Sequence, residues 1–169
     1  RKIPVPVIMV IQGRCRGGGL QIALGGDFRF ASPEASFSIM EGKWGLIPDM
    51  GGNLALREVV TKDVALKLAM TAEVISARTA LDYGLITAVS DEPLQQAMQL
   101  VDQITERSPD AVAAVKKLYQ RNWFKAECRM LAKESYYQLR ILLGKNQHRA
   151  VKKQLQPKDK ISYLKRKKW

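Results

Sequence analysis

The feature that most constrains the fold is an apolar run that leads into three consecutive glycines. Residues 5–11 are apolar, Gly17, Gly18 and Gly19 follow shortly after, and an apolar helical pattern continues to residue 26. This order predicts a buried central strand, a tight turn and a helix over 18–26.

The glycine turn has two interpretations. The first turn of a helix leaves backbone N–H groups without intrahelical acceptors, and glycine lets a ligand approach them closely. Such a turn suits an oxygen that becomes negative during a reaction, as in an oxyanion hole. The alternative is a turn needed only for close packing. The Lys-Ser/Thr pair of a P-loop and the spacing GxGxxG are both missing here.

Composition limits the class of protein. The 169 residues are 46% hydrophobic, which is enough for a core. Cys15 and Cys128 lack metal-site or CxxC spacing, so we expect a reducing compartment. Because the sequence shows no presequence pattern, we expect the cytosol ahead of the mitochondrial matrix. The longest uncharged apolar run, residues 3–11, is too short to span a bilayer, so no membrane association is expected. Because the chain starts at Arg1 and enters a strand at once, we also expect that N-terminal sequence is missing.

A basic excess characterises the later part of the chain. The formal net charge is +12, from 28 basic and 16 acidic residues. The excess indicates a solvated basic face, attraction to a phosphate-bearing small molecule, or nucleic-acid binding. Nucleic acid is the least favoured of these, because no aromatic RNA-binding motif, zinc finger or helix-turn-helix pattern accompanies the charge.

Periodicity divides the chain into an α/β part, residues 1–91, and a helical part, residues 92–169. In the first part we predict short strands and helices, with a glycine-rich loop between two of them. Those elements are strands 28–31, 36–38 and 85–89, loop 39–52, helices 52–60 and 63–72, and a short helix capped by Ser76. In the second part we predict helices 93–107 and 109–120 and one long amphipathic stretch from about 123 to 155. Its apolar stripes favour self-association.

Three polar side chains accompany the glycines. Gln21 lies on the first helical turn, Glu41 opens the glycine-rich loop and Asp49 follows eight residues later. A carboxylate beside apolar neighbours such as Trp44 is partly desolvated, which favours proton transfer. The alternative is that Glu41 and Asp49 only cap backbone N–H groups of the loop.

These residues together resemble the crotonase (enoyl-CoA hydratase/isomerase) superfamily. The resemblance rests on the strand Pro6-Val7-Ile8 and on an ordered series of positions: Gly13, Gly17-Gly18-Gly19, Ala23, Asp27, Ala35-Ser36-Phe37, Glu41, Gly45-Leu46-Ile47-Pro48 and Gly51-Gly52. It continues through Thr71, Ile75-Ser76-Ala77, Ala80, Gly84-Leu85-Ile86 and Val89, and the ending 163–169 is also similar.

The resemblance implies a fold and an activity. The fold would be the C-terminal portion of a spiral core of ββα units, followed by helices that build a homotrimer or hexamer. The substrate would be an acyl-CoA thioester, with coenzyme A as part of the substrate and no metal or further cofactor. Gly18 would supply one N–H of the oxyanion hole, and the second donor would come from a segment upstream of Arg1. Gly17, Gly19, Trp44, Pro48 and Lys165 would contact the substrate.

The acid–base residues match the family unequally. Glu41 matches the glutamate that moves a proton at carbon, and Gln21 stands where hydratases carry their second glutamate. Because glutamine cannot take a proton from water, the resemblance favours double-bond isomerisation slightly over hydration. Asp49 matches an aspartate of dienoyl-CoA isomerases. The alternative is an inactive crotonase-fold scaffold or RNA-binding protein, which Gln21 and the basic tail would suit.

Overall fold

The structure divides into two compact units. The computed structural model describes residues 3–124, 127–156 and 160–166, and only the backbone of residues 127–131, 133, 134 and 154. The first unit is Val7–Gln99, and the second runs from Leu100 onward and includes the segment that ends at Pro6. The division falls inside a helix, Pro93–Thr105, whereas the sequence pattern places a boundary after residue 91. No helix in the described ranges is long and apolar enough to cross a bilayer.

Two three-stranded sheets organise the first unit. One contains three parallel strands in the order β1-β3-β6, where β1 is Ile8–Ile11, β3 is Phe28–Ala31 and β6 is Ala88–Val89. The other has the order β2-β4-β5, where β2 is Arg14–Arg16, β4 is Ser36–Ser38 and β5 is Ile75–Ser76. β2 and β4 are parallel, whereas β4 and β5 are antiparallel. Strands that follow each other as β1 and β2, as β3 and β4, and as β5 and β6 therefore lie in different sheets.

Helices connect and cover these strands. They are α1 (Gly18–Ala23), a 3-10 helix (Met40–Trp44), α2 (Gly52–Val59), α3 (Lys62–Thr71), α4 (Ala77–Asp82) and α5 (Pro93–Thr105). The Ser76 cap is confirmed, because its Oγ accepts a hydrogen bond from the Thr79 N–H at 3.1 Å. The loop predicted over 39–52 contains the 3-10 helix.

The core of the first unit lies between the sheets and these helices. Its largest fully buried side chains include Phe37, Leu20, Leu68 and Leu85, and Cys15 lies in the same cluster. Burial of this apolar surface is the main contribution to the stability of the unit. It also fixes β2 and β4, whose ends carry the residues of interest.

Two strand predictions were wrong in detail. The expected central strand is β1, which pairs only with β3 among the described strands and leaves Val10 38% exposed. An apolar run rich in β-branched residues does not distinguish an edge strand from a central one. The strand predicted over 85–89 is reduced to β6, and Leu85 and Ile86 are nevertheless buried.

The second unit is helical, with α6 (Pro109–Asn122), α7 (Glu127–Leu142) and α8 (Lys145–Leu155). The long amphipathic stretch predicted over about 123–155 contains two helices, α7 and α8. The chain breaks at Gly144, where an added Cβ would lie 2.9 Å from the Ile141 carbonyl oxygen. A buried cluster of Ala114, Leu118 and Tyr137 joins α6 to α7. The tail then passes Asn146, which is 2% exposed and hydrogen-bonded to Leu164.

Candidate functional site

The parallel pairing of β2 and β4 brings the glycine turn and Glu41 to one place. Arg16 at the end of β2 is in register with Ser38 at the end of β4. The segments that leave the two strands therefore begin side by side, and Gly17 donates its N–H to the Ser38 carbonyl oxygen at 3.0 Å. A Cβ added at Gly17 would lie 3.7 Å from Glu41 Oε1.

The glycine turn depends on Gly17, which adopts φ 53°, ψ −127°. This left-handed φ favours glycine. The Gly17 N–H is already bonded, but no acceptor for the Gly18 N–H lies among the described residues. Gly18 begins α1, so this N–H points out of the helix end. An added Cβ at Gly18 would meet Met50 Sδ at 3.3 Å, and Gly19 faces open space.

Gln21 connects three parts of the site. Its side chain is 7% exposed, and its Nε2 donates to Glu41 Oε1 at 2.5 Å. Its Oε1 accepts from the Met50 N–H at 2.8 Å and from the Gly52 N–H at 3.2 Å. The sequence predicted Gln21 near Glu41 only through the resemblance, and it missed Met50 and Gly52. The one available signal was the pair Gly51-Gly52 at the start of a predicted helix.

Glu41 has one oxygen held and one oxygen unused. Oε1 accepts from Gln21, whereas Oε2 is buried and has no hydrogen-bond partner among the described residues. A buried carboxylate oxygen without a partner is costly unless a ligand or proton completes it. This oxygen is therefore the best-placed acid–base atom in the described part of the first unit.

An apolar crevice surrounds Glu41. It is lined by Gly17, Leu20, Gln21, Leu24, Ile39, Glu41, Pro48, Gly52 and Leu56, among which Glu41 is the one ionisable side chain. The crevice is too narrow in this structure for the centre of a water molecule. Pro48 is buried and lines this crevice, and its predicted substrate-binding role stays a prediction.

Trp44 and Asp49 are exposed, unlike the buried Pro48. Trp44 is 76% exposed, so the expectation that it desolvates Glu41 was wrong. Gly45 adopts φ 66° directly after the 3-10 helix and turns the chain there. Asp49 is exposed, and no hydrogen bond joins it to Glu41 in the described structure. Its predicted role in proton transfer stays a prediction.

Two further expectations concern charges and metals. Lys165 lies in the second unit and is exposed. Among the described residues, no group of three or more His, Cys, Asp or Glu side chains could hold a metal ion.

Comparison with known proteins identifies the family. Residues 1–168 match the family model described as enoyl-CoA hydratase/isomerase. The chain belongs to this family. The carnitinyl-CoA dehydratase of Salmonella typhi is 34% identical over 137 residues, which are 80% of this chain and 51% of that protein. The chain thus spans about half the length of the curated relatives it matches.

Solved structures of enoyl-CoA hydratases confirm the fold. The enzyme from Polaromonas sp. JS666 superposes with a TM-score of 0.87 at 31% identity, over 95% of this chain and 63% of that one. The enzyme from Mycobacterium tuberculosis H37Rv gives 0.90 at 25% identity, over 97% and 66%. The expected mixed α/β fold of the enoyl-CoA hydratase/isomerase family is therefore confirmed.

Proposed function

We propose that this chain contributes Glu41 and Gly18 to an enzyme that moves a proton on an acyl-CoA thioester. The observation that carries the proposal is Glu41 Oε2, a buried carboxylate oxygen without a partner among the described residues. It lies in an apolar crevice beside the glycine turn, in a chain of the enoyl-CoA hydratase/isomerase family. A carboxylate in such surroundings suits a proton shuttle.

The reaction we favour is the shift of a carbon–carbon double bond. Glu41 Oε2 takes a proton from C2 of a 3-enoyl thioester, and the electron pair moves toward the thioester carbonyl to form an enolate. The Gly18 N–H donates to the enolate oxygen, as an oxyanion-hole donor does. Glu41 then returns the proton to C4, so the double bond lies between C2 and C3 and no atom is gained or lost. The thioester supplies the acidity at C2, so this step needs no metal or redox cofactor.

Gln21 supports isomerisation over hydration. Both polar ends of its amide are engaged, and an amide cannot take a proton from water at neutral pH. Hydration needs a second group that activates water, whereas the double-bond shift needs one base. The carnitinyl-CoA dehydratase of Salmonella typhi, by its name, removes water, so hydration is the reaction to test against.

The remaining parts of the proposal concern assembly and binding. We expect a homotrimer or hexamer, because Leu139 in α7, Leu143 in the turn after it and Leu155 at the end of α8 are 59%, 74% and 77% exposed. Gly17, Gly19, Trp44 and Pro48 would contact the acyl group or thioester, and Lys165 the coenzyme A phosphates. Asp49 would be a second proton shuttle or would orient the first. The cytosol is the expected compartment.

The test uses the natural full-length protein with 3-enoyl-CoA and 2-enoyl-CoA substrates, followed by NMR in D₂O. We expect 2-enoyl-CoA from the first substrate, with deuterium exchange at carbon, and a rate lowered roughly 10²–10⁴-fold by Glu41→Gln. Formation of 3-hydroxyacyl-CoA alone would make the protein a hydratase. Absence of any turnover, together with RNA binding that weakens steeply with salt, would favour the scaffold alternative.

A further inference from the structure

The Gln21 amide uses its donor and its acceptor on different parts of the chain. The Nε2 group donates to Glu41, which follows β4, and Oε1 accepts from two backbone N–H groups at the start of α2. The side chain is almost fully buried. A carboxylate of the same length could accept from the two N–H groups, but it could not donate to Glu41.

We propose that Gln21 is a positioning residue that sets the orientation of Glu41 and the position of Met50 at the same time. The inference rests on the proposed function, because it assigns Gln21 a role in presenting Glu41 Oε2. Gln21 is not required to exchange protons in this role. It acts through Glu41 and through the backbone of residues 50–52.

The first half of the proposal concerns Glu41. With Oε1 held by an N–H donor at 2.5 Å, rotation of the carboxylate is restricted and Oε2 keeps a fixed direction. The crevice offers no other polar side chain to do this, since Gln21 and Glu41 are the two polar side chains among the nine lining residues. A displacement of about 1 Å at a reacting group can cost roughly 100-fold in rate. Loss of the Gln21 donor should therefore lower kcat.

The second half concerns the segment that leads into α2. Gly51 adopts φ 84° and provides no side-chain cap, so the first N–H of α2 needs an outside acceptor. Gln21 Oε1 is that acceptor for Gly52, and it also binds the preceding Met50 N–H. The Met50 thioether lies over Gly18, since Sδ is 3.3 Å from the site of an added Gly18 Cβ. The same amide thus fixes the residue that lies beside the expected oxyanion donor.

Gly52 makes this arrangement possible. A Cβ at Gly52 would lie 2.8 Å from Gln21 Cγ and 2.9 Å from Gln21 Oε1, so any larger residue would displace the amide. The backbone φ of Gly52 does not require glycine, since it is not in the left-handed region. The lack of space for a Cβ beside Gln21 therefore explains the glycine at this buried first position of α2.

Two substitutions separate the two halves. Gln21→Glu keeps an oxygen for the Met50 and Gly52 N–H groups and loses the donor to Glu41. Gln21→Ala loses both. The control is Asn53→Ala, which removes a 2.8 Å bond to the Pro48 carbonyl in the same segment without touching Glu41. The measurements are amide hydrogen exchange at Met50 and Gly52, kcat and KM, and the pH profile of kcat/KM, all on the natural full-length protein.

We expect Gln21→Glu to keep amide protection near that of the wild type while kcat falls about 10–100-fold with little change in KM. As the pH is lowered, kcat/KM of Gln21→Glu should begin to fall at a higher pH than kcat/KM of the wild type, because two adjacent carboxylates compete for a proton. Gln21→Ala should lower kcat and also speed exchange at both amides by tenfold or more. Asn53→Ala should stay within about twofold of wild-type kcat.

Two results would overturn the inference. One is a Gln21→Glu enzyme with wild-type kcat and pH profile, and the other is unchanged exchange at Met50 and Gly52 in Gln21→Ala. Failure of the proposed function is recognised separately, since the wild-type protein would then turn over no acyl-CoA. The exchange experiment still tests the hydrogen bonds of Gln21 in that case.

Discussion

Asn146 holds the backbone of Leu164 through both ends of its side-chain amide. Its Nδ2 donates to the Leu164 carbonyl oxygen at 3.0 Å, and its Oδ1 accepts from the Leu164 N–H at 2.8 Å. Arg149 adds a bond to the Ser162 carbonyl oxygen at 2.7 Å. The described tail is therefore fastened to α8, and Lys165 projects from a fixed backbone although its side chain is exposed.

Lys165→Ala should weaken binding of an acyl-CoA thioester several-fold at low salt and less at high salt. A lysine ammonium attracts phosphate as a point charge, and salt screens an exposed charge. The measurement is calorimetric titration of the full-length protein at two ionic strengths. Lys160→Ala, an exposed lysine in the same tail, is the control and should change affinity less. Equal affinities for wild type and Lys165→Ala at every salt concentration would leave Lys165 as a solvated surface charge.

Glu41→Gln should lower the rate of proton transfer by roughly 10²–10⁴-fold. The variant keeps the size of the side chain and an oxygen for Gln21 but removes the basic Oε2. Deuterium exchange at carbon, followed by NMR, measures the step directly. Glu92→Gln, at an exposed position, should match the wild type. A Glu41→Gln enzyme with most of its activity would contradict the assignment.

Gly18→Pro should abolish turnover while coenzyme A binding partly survives. Proline removes the N–H, and its fixed φ suits the first residue of a helix, so α1 can still form. Loss of one oxyanion donor typically costs about 2.7–4 kcal/mol of barrier. Gly18→Ala is the matched control because it keeps the N–H and only presses on the flexible end of Met50. Gly18→Pro with the kcat of Gly18→Ala would exclude Gly18 as a donor.

Self-association should depend on two exposed leucines at the C-terminal end of α7. Leu139 lies in α7, and Leu143 lies in the turn directly after it and donates its N–H to the Leu139 carbonyl oxygen at 3.1 Å. We expect the double variant Leu139→Glu/Leu143→Glu to shift a trimer or hexamer toward monomer in light scattering at micromolar concentration. Gln138→Glu, also exposed, introduces charge on the same helix and serves as the control. A wild-type protein that is monomeric would contradict the prediction.

Cys15 should make the first unit less stable at alkaline pH. Burial raises the pKa of its thiol from 9.0 to about 11. The folded state therefore keeps the proton longer than the unfolded state, so the stabilisation is complete below pH 9 and is lost between pH 9 and 11. The loss should approach about 2 kcal/mol in the free energy of unfolding. Urea denaturation gives the free energy of unfolding of the wild type and of Cys15→Ala at each pH. The difference between the two free energies should change by this amount between pH 9 and 11.

The sequence predicted the first unit better than the second for a physical reason. Strands of β-branched residues, the Ser76 cap and the glycine turn are local signals, and the structure has all of them. The break at Gly144 was missed because the apolar stripe continues across it. In the sequence, a single glycine is a weaker signal than the continuing periodicity. In the structure, the Ile141 carbonyl oxygen leaves no room for a Cβ at position 144.

The sequence predicted those parts of the candidate site that depend on residue type or on the pairing of parallel strands. The in-register ends of β2 and β4 explain why Gly17 and Glu41 meet, and both positions were identified from the sequence. The partners of Gln21 were not, because they are backbone N–H groups of residues 50 and 52. Almost every residue type has a backbone N–H, so the sequence does not show which ones act as donors. Gly52 was the one indication, because the close approach of Gln21 requires a glycine there.

The contact between Gln21 and Gly52 restricts how this chain can evolve or be engineered. A Cβ at position 52 would collide with the Gln21 side chain, so a substitution there must displace the amide or be accompanied by a smaller residue at position 21. A smaller residue at 21 gives up the hold on Glu41. A library that varies position 52 alone should return glycine almost exclusively, and one that varies both positions should recover stable variants that have lost activity. If Gln21 positions Glu41 as proposed, the two positions should form an epistatic pair, in which tolerance to mutation at position 52 comes with a loss of activity.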